Sequence, residues 1–271
     1  VKYKTKRRPS GRRFRLYDFS EEARCASVTK LGARKAYSGS MRKRRGRPGV
    51  QEFISNFHNE ICQLLEDEVQ LGALWRSFSQ ERLGRYLAAC SDEPVKALTL
   101  YKRNLQISSG FYVPLQCFEI TLRNKLNEEM VRSFDGDWHH RSDFPVESDT
   151  YDWIQSAIKQ VSFAGASNGS IVAELSLGFW VSLLAQRYAE ALWKKCLFRA
   201  FTCNGRYMNR KLVHQRLNAL RRFRNRVAHH EPIIFNDLAN TYTELIEAVS
   251  WMCPITAEWT AEQSSVTQQL R

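Results

Sequence analysis

From residue 51 to about residue 252 the apolar residues of this chain return every three or four positions and never settle into alternation, which restricts the fold to packed helices. The clearest stretch covers about 111–133, where Leu115, Phe118, Leu122, Leu126 and Met130 fall on one face. Upstream, Ile54, Phe57, Ile61, Leu64 and Leu65, continued by Leu71, Leu74, Trp75 and Phe78, predict an amphipathic helical extension over 51–78. Ser79 opens a short helix carrying Leu83, Tyr86 and Leu87. Ser91-Asp92-Glu93-Pro94 opens another, with Val95, Leu98, Tyr101 and Leu105 expected inward. The period resumes at Trp153, Ala157, Ile158 and Val161 and breaks at Gly165 and Asn168-Gly169. One long segment is then expected from Ser170 to about Phe198, its core face formed by Leu177-Gly178-Phe179-Trp180, Leu184, Tyr188 and Leu192. Gly178 there would admit a close neighbour or a kink. A turn at Asn204-Gly205 leads to a helix over 208–229 with Leu212, Leu217, Leu220, Phe223 and Val227 inward, ended by Pro232. A last helix carries Leu238, Tyr242, Leu245, Ile246, Val249 and Met252, followed by a polar tail over 261–271. The expected class is all-α, a helical bundle.

Charge is unevenly placed along the 271 residues. Residues 1–50 hold 17 of the 41 Lys+Arg and 3 of the 28 Asp+Glu, a net of +14, while the rest of the chain is close to neutral. Its clusters include Arg12-Arg13 and Arg44-Arg45, between Gly, Ser and Pro with no sustained period, so this arm is expected to be disordered when unbound. Such an arm suits a polyanion, nucleic acid before an acidic membrane surface, because each neutralised phosphate releases counterions. A second reading stands beside it, an upstream extension with Met41 as the start of the functional protein. The longest apolar runs fall short of a bilayer span, and no secretory leader is visible. Seven cysteines without a C-x-x-C pair suggest reduced thiols in a cytoplasmic protein. His139 and His140 share a loop with three aspartates but lack a third ligand at metal-binding spacing, so no metal and no cofactor are expected.

The densest chemistry lies in Arg222-Phe223-Arg224-Asn225-Arg226-Val227-Ala228-His229-His230-Glu231-Pro232. Residues four apart share a helix face and residues five apart are turned by about 140°, so Asn225 and His229 point together with Arg224 at their flank. A guanidinium can clamp a phosphoryl oxygen and an imidazole can move a proton near neutral pH. A basic helix end would read the same way, since the dipole favours cations there. Arg222 and Arg226 add positive charge for a nucleic-acid backbone. On the helix over 111–133, Glu119 and Arg123 form an i,i+4 pair beside Asn124, either a plain surface pair or part of a polar cluster facing a site.

Arg224-Asn225-Arg226-Val227-Ala228-His229 resembles the Arg-x4-His signature of the HEPN superfamily, and its continuation through His230-Glu231-Pro232-Ile233 resembles the version in Abi-like (abortive infection) proteins. Ser79 to Cys90, Glu119-Ile120-Thr121-Leu122-Arg123-Asn124 and Leu177-Gly178-Phe179-Trp180 resemble three further landmarks of that family in the same order, so the likeness spans about 79–260. It implies a HEPN-like helical domain that forms a homodimer with a composite active site. It also implies a metal-independent endoribonuclease of abortive-infection or toxin–antitoxin type, with RNA as substrate and a cognate antitoxin as a candidate partner. On this likeness His229 is the acid/base group, Arg224 binds phosphate and Asn225 orients one of them, while His230, Glu119, Arg123 and Asn124 are auxiliary. A non-catalytic RNA-binding or protein-interaction module is the alternative, and nucleotide transfer ranks last because no nucleotide-cradling glycine loop is present.

Overall fold

The computed structural model describes residues 69–134, 136–162 and 168–270, in two compact units divided between Val95 and Lys96. The basic arm, with Arg12, Arg13, Arg44 and Arg45, and most of the 51–78 extension lie outside the described residues. In the first unit residues 69–78 are helical and α1 follows at Gln80–Ala89, its N-cap Ser79 accepting from the Arg82 amide at 3.4 Å. Leu83, Tyr86 and Leu87 are its buried residues.

The second unit is all-α in character. Its central pillar is α3 (Tyr112–Phe134), preceded by α2 (Pro94–Gly110). Leu115, Phe118, Leu122, Leu126 and Met130 of α3 are all buried, as their spacing predicts. Around it come α4 (Ser148–Ser162), α5 (Asn168–Glu174), α6 (Leu177–Ser182), α7 (Arg210–Ala228), α8 (Leu238–Ser250) and α9 (Pro254–Gln263). The pillar packs against α5, α6, α8, α9 and a 3-10 turn at Leu197–Ala200, while α7 packs on α6 and α8. Past residue 260, α9 continues to Gln263, a last turn α10 runs over Val266–Gln269, and Val266 is fully buried. Gly110 makes room for it, since a Cβ there would sit 3.3 Å from Gln269 Cγ and 3.4 Å from Ser265 Oγ.

Four expectations are corrected. The inward face of α2 is Ala97, Tyr101, Asn104 and Ile107, and Leu105 is 44% exposed. An alanine and an asparagine occupy core positions there, so the buried stripe is not the most apolar one. Leu212 is likewise exposed, because α7 turns Val213 inward instead. The long helix expected from Ser170 to Phe198 is a series of short turns: α5, α6, a 3-10 turn at Gln186–Tyr188, a π-helical turn at Ala189–Trp193 and the 3-10 turn at Leu197–Ala200. Ser176 causes the first break, since it takes extended angles and its hydroxyl accepts from the Phe179 amide at 3.3 Å, starting α6 afresh. The Trp180 indole donates back across that break to the Leu175 carbonyl at 3.0 Å. Gly178 is neither the kink nor a close-approach point, because a Cβ on it would meet only Ser176 Oγ at 3.5 Å.

The strand structure among the described residues is a small hairpin, Thr202–Cys203 (β1) with Arg206–Tyr207 (β2), whose two central residues Asn204 and Gly205 are both left-handed. The Thr202 amide donates to the Trp251 carbonyl at 2.8 Å and so ties the hairpin to the end of α8.

Buried beside that hairpin's lead-in, Cys196 has its thiol pushed up to about 11, chiefly by burial, against the weaker opposing pull of Arg199. Cys203 is exposed. Iodoacetamide at pH 8 is therefore expected to modify Cys203 and leave Cys196 intact until the domain unfolds, as read by peptide mass mapping. Equal labelling of both in the native protein would contradict this packing.

Candidate functional site

Helix α7 is capped at its start by Asn209, whose side chain accepts from the Lys211 amide at 2.9 Å and the Leu212 amide at 3.4 Å. Val213, Leu217, Leu220 and Phe223 are its buried residues, and this fixes where every polar group on it points. The helix ends at Ala228, so His229 is the C-cap residue and not part of the last helical turn. His230 takes φ 57, and the closing hydrogen bonds run from its amide to the Val227 carbonyl (3.0 Å) and from the Glu231 amide to the Arg226 carbonyl (2.8 Å). That is a Schellman end in which a histidine holds the left-handed position glycine usually takes. A left-handed non-glycine residue costs about 1–2 kcal/mol, so the surrounding loop must hold it.

The loop does so from two sides. Arg226 donates through Nη2 to the Pro232 carbonyl at 2.5 Å and through Nη1 to Asn236 Oδ1 at 2.9 Å, and pairs with Glu231 at 3.3 Å. Its guanidinium is therefore a clamp on the loop. On the inner side, the Asn104 side chain of α2 is buried and its Oδ1 accepts from the amides of Ile233 (2.8 Å) and Ile234 (3.1 Å). Asn104 was absent from the sequence expectations, although a polar residue between Tyr101 and Ile107 on a core face was a signal for it.

Arg224 turns the other way. Its Nη2 lies 3.0 Å and its Nε 3.1 Å from Glu119 Oε2, a contact across 105 residues that joins α7 to α3. Glu119 thus pairs with Arg224 and not with Arg123, the expected i,i+4 partner. Arg123 Nε is buried and without a hydrogen-bond partner among the described residues. The Glu119–Arg224 pair borders a cavity of about 680 Å³ between α2, α3 and the end of α7, where Arg123 and His230 also stand and Leu105, Tyr112 and Ile120 expose apolar surface.

Asn225 and His229 do not line that cavity. Asn225 is half-buried and His229 exposed, both on the outward side of α7, and Arg222 is exposed near them. Asn124 is exposed on α3 and borders a separate polar recess with Arg123, Asn127 and His139. The chain thus brings Arg224, Glu119, Arg123 and His230 to one concavity and leaves Asn225 and His229 on the neighbouring face. His139, expected in a surface loop, is buried in a 3-10 turn beside Trp138, whose indole donates to Asn127 Oδ1 at 2.8 Å. Among the described residues no group of three His, Cys, Asp or Glu is placed to hold a metal ion, and no helix is long and apolar enough to cross a membrane. The sequence matches no family model, no curated protein and no solved structure.

Proposed function

We propose that this chain is a HEPN-type, Abi-like endoribonuclease of an abortive-infection or toxin–antitoxin system, acting on RNA without a metal. The observation that carries this reading is the Glu119–Arg224 pair, which joins the glutamate-bearing landmark of α3 to the Arg-x4-His landmark of α7 beside a cavity. Two motifs far apart in sequence converge at one place, as a shared site requires.

In the proposed reaction the 2′-hydroxyl of one nucleotide attacks the adjacent phosphorus. The 2′-O–P bond forms, the 5′-O–P bond breaks, and the products are a 2′,3′-cyclic phosphate and a 5′-hydroxyl. A base takes the 2′-hydroxyl proton and an acid supplies one to the departing 5′-oxygen; His229 serves as that acid/base group. Glu119 occupies Nε and Nη2 of Arg224, so Nη1 is the donor left for a phosphoryl oxygen and the carboxylate fixes the plane of the fork. Because Arg224 and His229 are five apart and face different sides of α7, one copy does not converge them on a single phosphate. A homodimer that sets the histidine face of one copy against the arginine cavity of the other supplies the composite site.

Purified protein incubated with tRNA or mRNA in EDTA is expected to leave cyclic-phosphate and 5′-hydroxyl ends. His229→Ala and Arg224→Ala are each expected to slow cleavage about a hundredfold or more. Cleavage that needs a divalent metal, or that survives both substitutions, removes this mechanism. The placement of Asn225 and His229 outside the cavity favours one second reading, a non-catalytic RNA-binding module. Salt-dependent RNA binding with no cleavage under any condition would establish that reading instead.

A further inference from the structure

Along α3 the residues Tyr112, Gln116, Glu119, Ile120 and Arg123 follow one another at three- and four-residue steps, so they form a second stripe beside the buried one. All five line the cavity between α2, α3 and the end of α7, and the stripe changes character along its length. It begins at Tyr112, whose ring is 67% exposed, with Leu105 of α2 adding further open apolar surface. It ends among guanidinium groups. Glu119 lies about 10 Å along the helix axis from Tyr112, and Arg123 about 16 Å. Neutral polar groups stand between, the Gln116 amide and the hydroxyls of Ser108 and Ser109.

The charges at the far end do not cancel. Glu119 is the one acid among the lining residues, and it is turned to Arg224. Arg123, one turn further along α3, is left with its Nε buried and without an acceptor among the described residues. A donor withheld from water in this way is a standing cost to the fold, which an arriving anion removes.

We infer that this cavity is a seat for a nucleoside phosphate, with the base against Tyr112 and the phosphoryl group between Arg123 and Nη1 of Arg224. Its volume of about 680 Å³ suits a small molecule. A wholly apolar ligand would leave Arg123 without its acceptor, and a bare anion would leave the tyrosine ring and Leu105 in water. A nucleoside phosphate meets both ends: a flat ring stacks on an exposed tyrosine, base edges and sugar hydroxyls meet the neutral polar groups, and phosphoryl oxygens meet the guanidinium forks. The phosphate half of the seat rests on the proposed function, since Arg224 serves in both, whereas the base half does not.

Two sources carry this chemistry, a free nucleotide and one unit of an RNA strand, and two sets of probes separate them. The full chain is titrated by ligand-observed NMR with the four nucleoside 5′-monophosphates and the matching nucleosides. Fluorescence anisotropy then follows short 2′-O-methyl oligonucleotides, which lack the attacking hydroxyl. Tyr112→Ala is expected to weaken the best-bound monophosphate and its nucleoside by the same factor, about tenfold. Arg123→Met is expected to weaken the monophosphate about tenfold, leave the nucleoside unchanged, and melt no lower than wild type, because it removes a buried group that has no partner. Trp259→Ala, which removes an exposed aromatic from α9, is expected to bind every probe as the wild type does. A monophosphate bound while the oligonucleotides are ignored makes the seat one for a free nucleotide. Oligonucleotides bound with the same two losses make it a subsite for RNA. No binding of either by the wild type overturns the seat, and so do losses in Arg123→Met that strike the nucleoside equally. A Tyr112→Ala protein that binds normally but whose dimer dissociates in sedimentation also overturns it, and makes the cavity wall a contact between copies. Tyr112-dependent nucleotide binding by a protein that never cleaves RNA removes the nuclease and leaves the seat. Cleavage that neither substitution alters removes the seat alone.

Discussion

Replacing Arg199 with alanine is expected to destabilise the second unit by about 3 kcal/mol, more than any exposed ion pair could account for. Glu129 of α3 has only 5% of its side chain exposed and accepts from Arg199 Nε at 2.7 Å and from Arg132 Nη1 at 2.8 Å. Arg199 also donates through Nη2 to Ser133 Oγ at 2.8 Å, so one guanidinium docks the Leu197–Ala200 turn onto the pillar. The two arginines are far better solvated than the carboxylate, at 33% and 58% exposed. Removing Arg199 strands a buried charge on its weaker partner. Removing the charge itself, as in Glu129→Met, leaves arginines that reach water, and is expected to cost under about 1.5 kcal/mol. Urea denaturation of the two variants reads the asymmetry directly. A Glu129→Met protein less stable than Arg199→Ala would show that the carboxylate's hydrogen bonds outweigh its desolvation.

The same contrast between local and distant partners decides what the sequence could reveal. The stripe of α3 was legible because the positions its spacing picks out, Leu115, Phe118, Leu122, Leu126 and Met130, are all apolar and all buried; the buried Glu129 beside them carries no such signal. That of α2 was not, because packing places Ala97 and Asn104 inward and leaves Leu105 in the open. Between Ser170 and Phe198 the spacing of Leu184, Tyr188 and Leu192 suits one long helix, but Ser176 and Ala185 take extended angles and break it, which the apolar spacing does not reveal. Within the candidate site, the shared face of Asn225 and His229 follows from helical spacing alone. The partner of Glu119 does not, because the nearby Arg123 satisfies the local rule while Arg224, 105 residues away, makes the contact. The left-handed His230 was equally hidden, since no glycine marks the turn.

That hidden turn makes Asn104 the residue whose loss should travel furthest. Asn104→Ala removes the acceptor for the buried amide of Ile233 and the half-buried amide of Ile234, in the loop that begins directly after His230. An orphaned buried N–H costs about 1–3 kcal/mol, so the substitution is expected to cost about 2–4 kcal/mol, the half-buried amide adding the smaller share. Ile233 is fully buried, and water cannot readily replace the lost partner without moving the loop. Arg226 holds the same loop from its solvent side and is 29% exposed, so Arg226→Ala is expected to cost only about 1 kcal/mol. If the loop is what keeps His230 left-handed, Asn104→Ala disturbs the Arg224 cavity although it touches no residue of the Arg-x4-His motif. Urea denaturation gives the first part, and amide exchange at His230 and Glu231 gives the second. A variant that loses stability while those two amides keep their protection would confine Asn104 to the core and free the site from any dependence on it.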